Sequence, residues 1–485
     1  MRNKFELLDY EPVILSRNQK PFGSRDTEVA SPQIHAVEPT SVTGATVKPR
    51  RHTQATSNIR RSKSEYSGRQ QTPLSDHWAL KRGHALSYLG LFVFTFLVYF
   101  RPYELLPSLA WLSRSALVVA IITLAVFIPT QLALENRITA RPREVKLALG
   151  LLLAGLLSIP LALEPSRAFQ GCIEFLKVIV MFIVMVNVVR TEKRLRSLIL
   201  LVLAVSCVLS AAAINDYAQG NLAMQGRRIA GLIGGLFSNP NDLALHLVTM
   251  IPISFTLLLG SRGMLRKTLY LGCSLLLVAG MIATFSRAGF IGFVFVTAFL
   301  VWKLAKRNRV IFGALALTVL IAALALAPGA YRSRLATTGD DSAVARTDDL
   351  KRSVLVAAKH PLFGVGMENY ILYSNTNHAT HNSYTQVAAE MGLLALLLYL
   401  GFLIFPFKGL RRIEQATRTA KSKPRVYYLA IGIQASLVGY MLVSFFASVA
   451  FVWYAYYLVA YAICLQRLTF GEFYSELKAT PILER

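Results

Sequence analysis

Residues Arg262–Arg309 read RGMLRKTLYLGCSLLLVAGMIATFSRAGFIGFVFVTAFLVWKLAKRNR. Two apolar stretches, near 267–285 and 288–305, are joined only by the turn Thr284-Phe285-Ser286-Arg287, and basic clusters flank the pair. Each stretch extends to roughly the 20 residues that a helix needs to cross the hydrocarbon core of a bilayer. The segment therefore reads as a helical hairpin crossing a membrane twice. By the positive-inside rule its lysine- and arginine-rich ends are cytoplasmic. Arg287, at the tip, is left on the opposite side.

The rest of the chain extends this pattern. It has 485 residues, 54% of them hydrophobic. Segments of spanning length fall near 85–101, 115–134, 146–163, 171–189, 197–215, 241–260, 267–285, 288–305, 309–328, 384–407, 426–446 and 449–466, about twelve in all. The expectation is an all-α polytopic membrane protein. Threaded in this order, the basic connectors Arg137–Lys146, Arg190–Arg196, Arg262–Lys267, Lys303–Arg309 and Lys408–Arg425 share one face. Arg228, Arg287, Arg346 and His381 then lie on the outer face, beside helix ends. Cations kept there against the insertion bias are candidates for an anionic substrate.

A net charge of +26 would suggest nucleic acid in a soluble protein. Here it lies mostly in the cytoplasmic connectors and the N-terminal tail, where topology and anionic lipid account for it, so nucleic acid is not an expected partner. Cys172, Cys207, Cys273 and Cys464 all fall in expected spans without metal-ligand spacing, and read as small packing residues.

Four regions follow. Residues 1–84 are rich in Ser, Thr, Gln, Arg and Pro and bury too little apolar area to offset their ordering entropy, which reads as a disordered basic cytoplasmic tail. That tail carries no signal-peptide core. Residues 85–466 form the transmembrane domain, and 467–485 a cytoplasmic C-terminal tail. Within the domain, 330–382 is an outer insertion too polar to span. In it Ser342–Lys359 reads as a helix, with Asp341 as N-cap and Pro361 beyond its end. Val354, Leu355 and Ala358 supply the face expected to pack over the membrane domain.

Several groups could do chemistry. Arg227-Arg228 open a glycine-rich connector that ends in Phe237-Ser238-Asn239-Pro240-Asn241-Asp242. Asn239 before Pro240 marks a helix start, whose free N–H groups favour an anion, although an ordinary capped helix would look the same. Arg287 could snorkel into head groups or present a bidentate fork to phosphate. His381 precedes the tenth span, where an imidazole could act as a base or donate to a phosphate oxygen. Glu390, about two turns into that span, is costly in lipid unless paired or lining a polar cavity, and becomes a second base candidate. Glu174 and Lys177 lie one turn apart and pair, or line an acceptor path. The sequence has no Walker motif, His-Glu zinc motif, Gly-x-Ser-x-Gly elbow or Asp-x-Asp, so neither metal nor other cofactor is expected.

Taken in order, these segments resemble the O-antigen ligase and polymerase family of bacterial membrane proteins. The resemblance rests on Arg228…Gly231…Phe237-Ser238-Asn239-Pro240-Asn241-Asp242, Thr284-Phe285-Ser286-Arg287 and Asp341-Ser342-Ala343…Arg346. It continues through Pro361-Leu362-Phe363-Gly364-Val365-Gly366, His381-Asn382-Ser383-Tyr384 and Glu390-Met391-Gly392. It covers about Arg227 to Leu400. Ala288 departs from a common glycine, and the N-terminal tail lies outside it.

The resemblance implies a GT-C-like glycosyltransferase in the bacterial inner membrane, with both termini cytoplasmic. Its donor would be a glycan on undecaprenyl diphosphate at the periplasmic face. Its acceptor would be a lipid A–core sugar for a ligase or a second lipid-linked glycan for a polymerase, and related members build exopolysaccharide. Arg228, Arg287 and Arg346 would stabilise the departing diphosphate, supported by Arg227, Asn239, Asn241 and Asn382. His381 would lead, and Glu390 follow, in activating the acceptor. A direct displacement would invert the anomeric centre. A transporter or flippase would also need cations, but it should place some near mid-membrane, exposed to each face in turn.

Overall fold

No backbone N–H or C=O facing hydrocarbon can be left unpaired, so apolar runs must close their hydrogen bonds locally as helices. A computed structural model describes residues 84–105, 107–221, 239–304, 341–374, 379–418 and 424–479, with the single positions 229, 237, 313, 314, 317, 321 and 325. Among the described residues every regular element is helical. The expected tail 1–84, apart from His84, and the expected ninth span 309–328, apart from a few isolated positions, lie outside the described residues.

The elements run α1 (Ala85–Phe100), α2 (Pro102–Leu105), a 3-10 stretch (Pro107–Arg114), α3 (Ser115–Glu135), α4 (Arg143–Ser158), α5 (Pro165–Val188) and α6 (Glu192–Ala218). After them come α7 (Pro240–Gly260), α8 (Met264–Ala283) and α9 (Arg287–Leu304). The remainder are α10 (Asp341–Lys359), α11 (Tyr370–Tyr373), α12 (Ser383–Met391), α13 (Leu393–Arg418), α14 (Pro424–Val443) and α15 (Trp453–Ala479). Ten helices among the described residues are long and apolar enough to cross a membrane, namely α1, α3 to α9, α13 and α14, some with flanking turns.

Two expected spans take a different form. The segment expected at 384–407 is not one helix: Gly392, at φ 89°, separates α12 from α13, and only α13 belongs to the ten. The last expected span, 449–466, becomes the first half of helix α15, which starts only at Trp453 and is not among the ten. Its tyrosines at 454, 456, 457 and 461 lower its hydropathy, and all four are buried against protein. Such a helix meets other helices rather than lipid.

Burial separates the centre of the bundle from its rim. The apolar window of α7 is 78% buried and that of α3 only 17%. Around α7, small residues let backbones approach. A Cβ at Gly292 of α9 would come within 2.3 Å of Val443 on α14, and one at Gly280 of α8 within 2.5 Å of Ser210 on α6.

The basic connectors 137–146, 190–196, 262–267 and 408–425 all join helix ends remote from Arg287. At that end Arg190, Arg194 and Arg467 donate to the carbonyls of Asn187, Val188 and Val186, the last of α5. Cations there complement both the unpaired carbonyls and the helix dipole. Arg190 also pairs with Glu135 at 2.7 Å. Lys303 and Glu414 form a buried pair at 2.6 Å. The four cysteines are all free and sit in α5, α6, α8 and α15.

At the opposite end α10 packs on α12, and the strap Pro361–Glu368 crosses the end of α12. Val365 N donates to Ala389 O and Gly366 N to Glu390 O, each at 2.9 Å, and Leu393 N donates to Pro361 O at 2.7 Å. Gly364 (φ 67°) and Gly392 are required here, because a Cβ on either would lie 2.3 Å from backbone of the other strand of the crossing. α10 does not pack through Val354, Leu355 and Ala358 as expected. Ser353, Val356, Ala357 and Asp349 are its buried side chains, whereas Val354, Leu355 and Ala358 face outward.

Candidate functional site

Arg287 owes its place to a strained turn. Phe285 adopts φ 56°, unusual for a bulky residue, and is held there by burial and by a ring contact with Tyr217 at 5.5 Å. The chain reverses within three residues, and Ser286 then caps α9, its Oγ accepting from Gly289 N at 3.2 Å. Arg287 is thus the first residue of α9, at the positive end of that helix.

Ser286 also joins this turn to the start of α7, donating from Oγ to Asn241 Oδ1 at 2.9 Å. Asn239 is the N-cap of α7 and accepts from Asn241 N at 2.9 Å. Asn239 and Asn241, two of the three asparagines expected to support the site, therefore hold a second helix start against that of α9. Below them Gly289 lies so close to α7 that a Cβ would come within 2.8 Å of Ala244. Arg227 and Arg228 lie outside the described residues. The described positions between them and Asn239, Ile229 and Phe237, are both fully buried. Phe237 packs on His246 of α7 at 5.0 Å.

His381 is held at a third helix start. It adopts φ 51°, and the next residue, Asn382, caps α12 by accepting from Tyr384 N at 2.8 Å and Thr385 N at 3.1 Å. Ser383 Oγ donates to Ala447 O at 2.7 Å and accepts from Val449 N at 2.9 Å. Tyr384 OH donates to Met441 O at 2.7 Å. These bonds fix the start of α12 on the end of α14, which packs on Gly292 about a turn and a half into α9. His381, Arg287, Asn239 and Asn241 therefore share one end of the bundle, remote from the basic connectors.

Arg346 lies half-buried on α10, over the same end. One turn on, α10 grips the segment before His381: Tyr370 OH donates to Asp349 O at 3.0 Å, and Arg352 Nε donates to Tyr373 O. Glu390 is not on an open surface. It lies under the strap at 4% exposure, where burial pushes its carboxyl up to about 8, with the nearby Glu368 carboxylate adding to the rise and hydrogen bonds from Glu368 N and Gln386 opposing it. A carboxyl so placed holds its proton at neutral pH, which suits a donor better than a base. Glu174 and Lys177 form an exposed pair at 2.5 Å along α5.

Gln386 escaped the sequence reading. Asn382, Gln386 and Glu390 recur every four residues on one stripe of α12. Each carries a buried side-chain atom without a hydrogen-bond partner, respectively Nδ2, Oε1 and Oε2. The spacing was readable, but within a supposed membrane span it resembled isolated polar residues.

No curated protein matches the chain. Residues 272–400, which include Arg287, Arg346, His381 and Glu390, match the family model described as O-antigen ligase, so that segment is similar to an O-antigen ligase domain.

Proposed function

We propose that this protein transfers a glycan from undecaprenyl diphosphate to a sugar hydroxyl at the periplasmic face of the bacterial inner membrane. The observation that carries the reading is the placement of Arg287 and His381, both inside the matched segment, at helix starts on one end of the bundle. Cleavage of the C1–O bond leaves the bonding pair on the diphosphate, which gains a negative charge next to the membrane. Fixed guanidinium groups and helix N-termini stabilise that charge as it develops. Arg287 and Arg228 fill this role, with Arg346 contributing from the outer insertion. Asn239, Asn241 and Arg227 support them.

The acceptor hydroxyl must be positioned and must lose a proton. His381 performs this step or binds a diphosphate oxygen, and Asn382 Nδ2 offers a neighbouring donor. Glu390, protonated beneath the strap, positions α12. The displacement is direct and inverts the anomeric centre, which NMR of the product linkage reads. It proceeds without a metal ion, so full activity should survive chelation.

The test compares Arg287→Ala and His381→Ala with wild type at equal membrane levels in a deletion background. Loss of mature surface glycan with accumulation of its lipid-linked precursor supports transfer. Single repeats in that precursor identify a polymerase, and long chains a ligase. Wild-type behaviour of both variants would refute the assignment.

A further inference from the structure

We infer that the last two turns of α10 and the following Leu362-Phe363 turn are seated in the lipid of the leaflet on the His381 side, making α10 an interfacial helix. The opposite face of α10 is already taken, since Asp349, Ser353, Val356 and Ala357 are buried. Most of what points outward near its end is apolar: Val354 and Leu355 are each 53% exposed, Leu362 73% and Phe363 40%, with Lys359 and His360 exposed between them. Exposed side chains of this kind forming a contiguous patch mark a membrane or partner surface.

Continuity with the bilayer-facing surface identifies the occupant as lipid. Pro361 O accepts from Leu393 N at 2.7 Å, and the Leu362 carbonyl lies against Gly392. The Leu362-Phe363 turn is therefore pinned beside the first turn of α13, one of the membrane-crossing helices. Leu393, Leu394 and Leu397 there point outward, into the acyl chains that such a helix must meet. The exposed patch continues that surface.

Polarity along α10 agrees. After the exposed Val344, its outward side runs through Thr347, Asp348 and Lys351, where Asp348 and Lys351 form an exposed pair at 3.8 Å, and then presents Val354, Leu355 and Ala358. Lys359, exposed at the end of α10 between Leu355 and Leu362, has an amphipathic stem that can reach head-group phosphates. The helix thus dips at its C-terminal end and rises into water at the end that bears Arg346. The seat sets the height of Arg346 over the membrane, and it stands whether or not the transferase reading does.

The test uses the full chain reconstituted in liposomes, with Leu355→Cys, Leu362→Cys and the water-side reference Lys351→Cys each labelled with an NBD fluorophore. Label on the natural cysteines is subtracted using the unaltered chain. Nitroxides on phospholipid acyl chains should quench positions 355 and 362 several-fold more than 351, and aqueous iodide should show the reverse order. Iodide quenching at 355 and 362 equal to that at 351 would place the face in water and overturn the inference. Protection from both quenchers would mean that protein, a second copy or a partner, covers the face, and would overturn it as well.

Discussion

Ser383→Ala should detach the start of α12 without touching His381 itself. The Ser383 hydroxyl is fully buried and bonds two backbone groups, accepting from Val449 N at 2.9 Å and donating to Ala447 O at 2.7 Å. Alanine leaves both partners buried and unpaired. At about 1–3 kcal/mol for each orphaned group, partly recovered as the segment relaxes, the expected loss is roughly 2–4 kcal/mol. The functional cost should be larger than stability alone implies, because a displacement of about 1 Å at a reacting group costs on the order of 100-fold in rate. The comparison is Ser436→Ala, which removes another buried hydroxyl, bonded to Thr249 O at 2.6 Å between α14 and α7, well inside the bundle. Both variants are purified, matched for thermal stability by choice of assay temperature, and assayed for transfer to acceptor. Ser383→Ala should fall by about two orders of magnitude while Ser436→Ala stays within a few-fold of wild type. Equal losses in the two would refute the idea that the 447–449 segment positions His381.

Arg287→Ala should lower transfer by about 10²–10³-fold, with Arg287→Lys recovering only part because a point charge cannot replace the fork; membrane levels should not change, and a matching fall in level would instead assign Arg287 a folding role. Glu390→Gln should retain most activity at pH 7, since the Glu390 carboxyl, raised to about 8, is already protonated there. The folded state binds that proton more tightly than the unfolded one, so wild-type stability contributed by protonated Glu390 is present below its unfolded range and is lost as pH rises towards 8. Glu390→Gln should be insensitive over that window, and parallel melting curves for the two proteins between pH 5 and 8 would contradict this. Glu414→Ala leaves Lys303 buried without its counter-charge and should cost about 3–5 kcal/mol, whereas the double variant Lys303→Met/Glu414→Leu should recover most of it, read as survival of folded protein after heating. Gly364→Ala forces a side chain into a left-handed backbone 2.3 Å from the carbonyl carbon of Glu390, and should open the strap, detected as faster proteolysis between α10 and α12.

What could be read in advance divides along physical lines. The hairpin 267–305 was legible because a bilayer makes each apolar run satisfy its own backbone, so length and flanking charge suffice. Arg287 and His381 were legible for the same reason, as polar groups at the ends of such runs. The break at Gly392 was not, because Gln386, Glu390 and Gly392 read as isolated interruptions of an otherwise apolar run; the cause is the strap from 361–368, whose carbonyls and amides meet α12 across more than twenty residues of chain. The packing face of α10 was misread because an apolar stripe means inward only in water, and beside lipid it can equally mean outward. These two misses have a common root. A continuous helix through 384–407 would carry Asn382, Gln386 and Glu390 at its head into hydrocarbon, at several kcal/mol for each unpaired group. Ending α12 at Gly392 lets α13 enter the bilayer alone. The same strap that covers the polar stripe of α12 also brings Leu362 and Phe363 beside the first turn of α13, so the turn that shields the polar residues from lipid is itself apolar on its outer side.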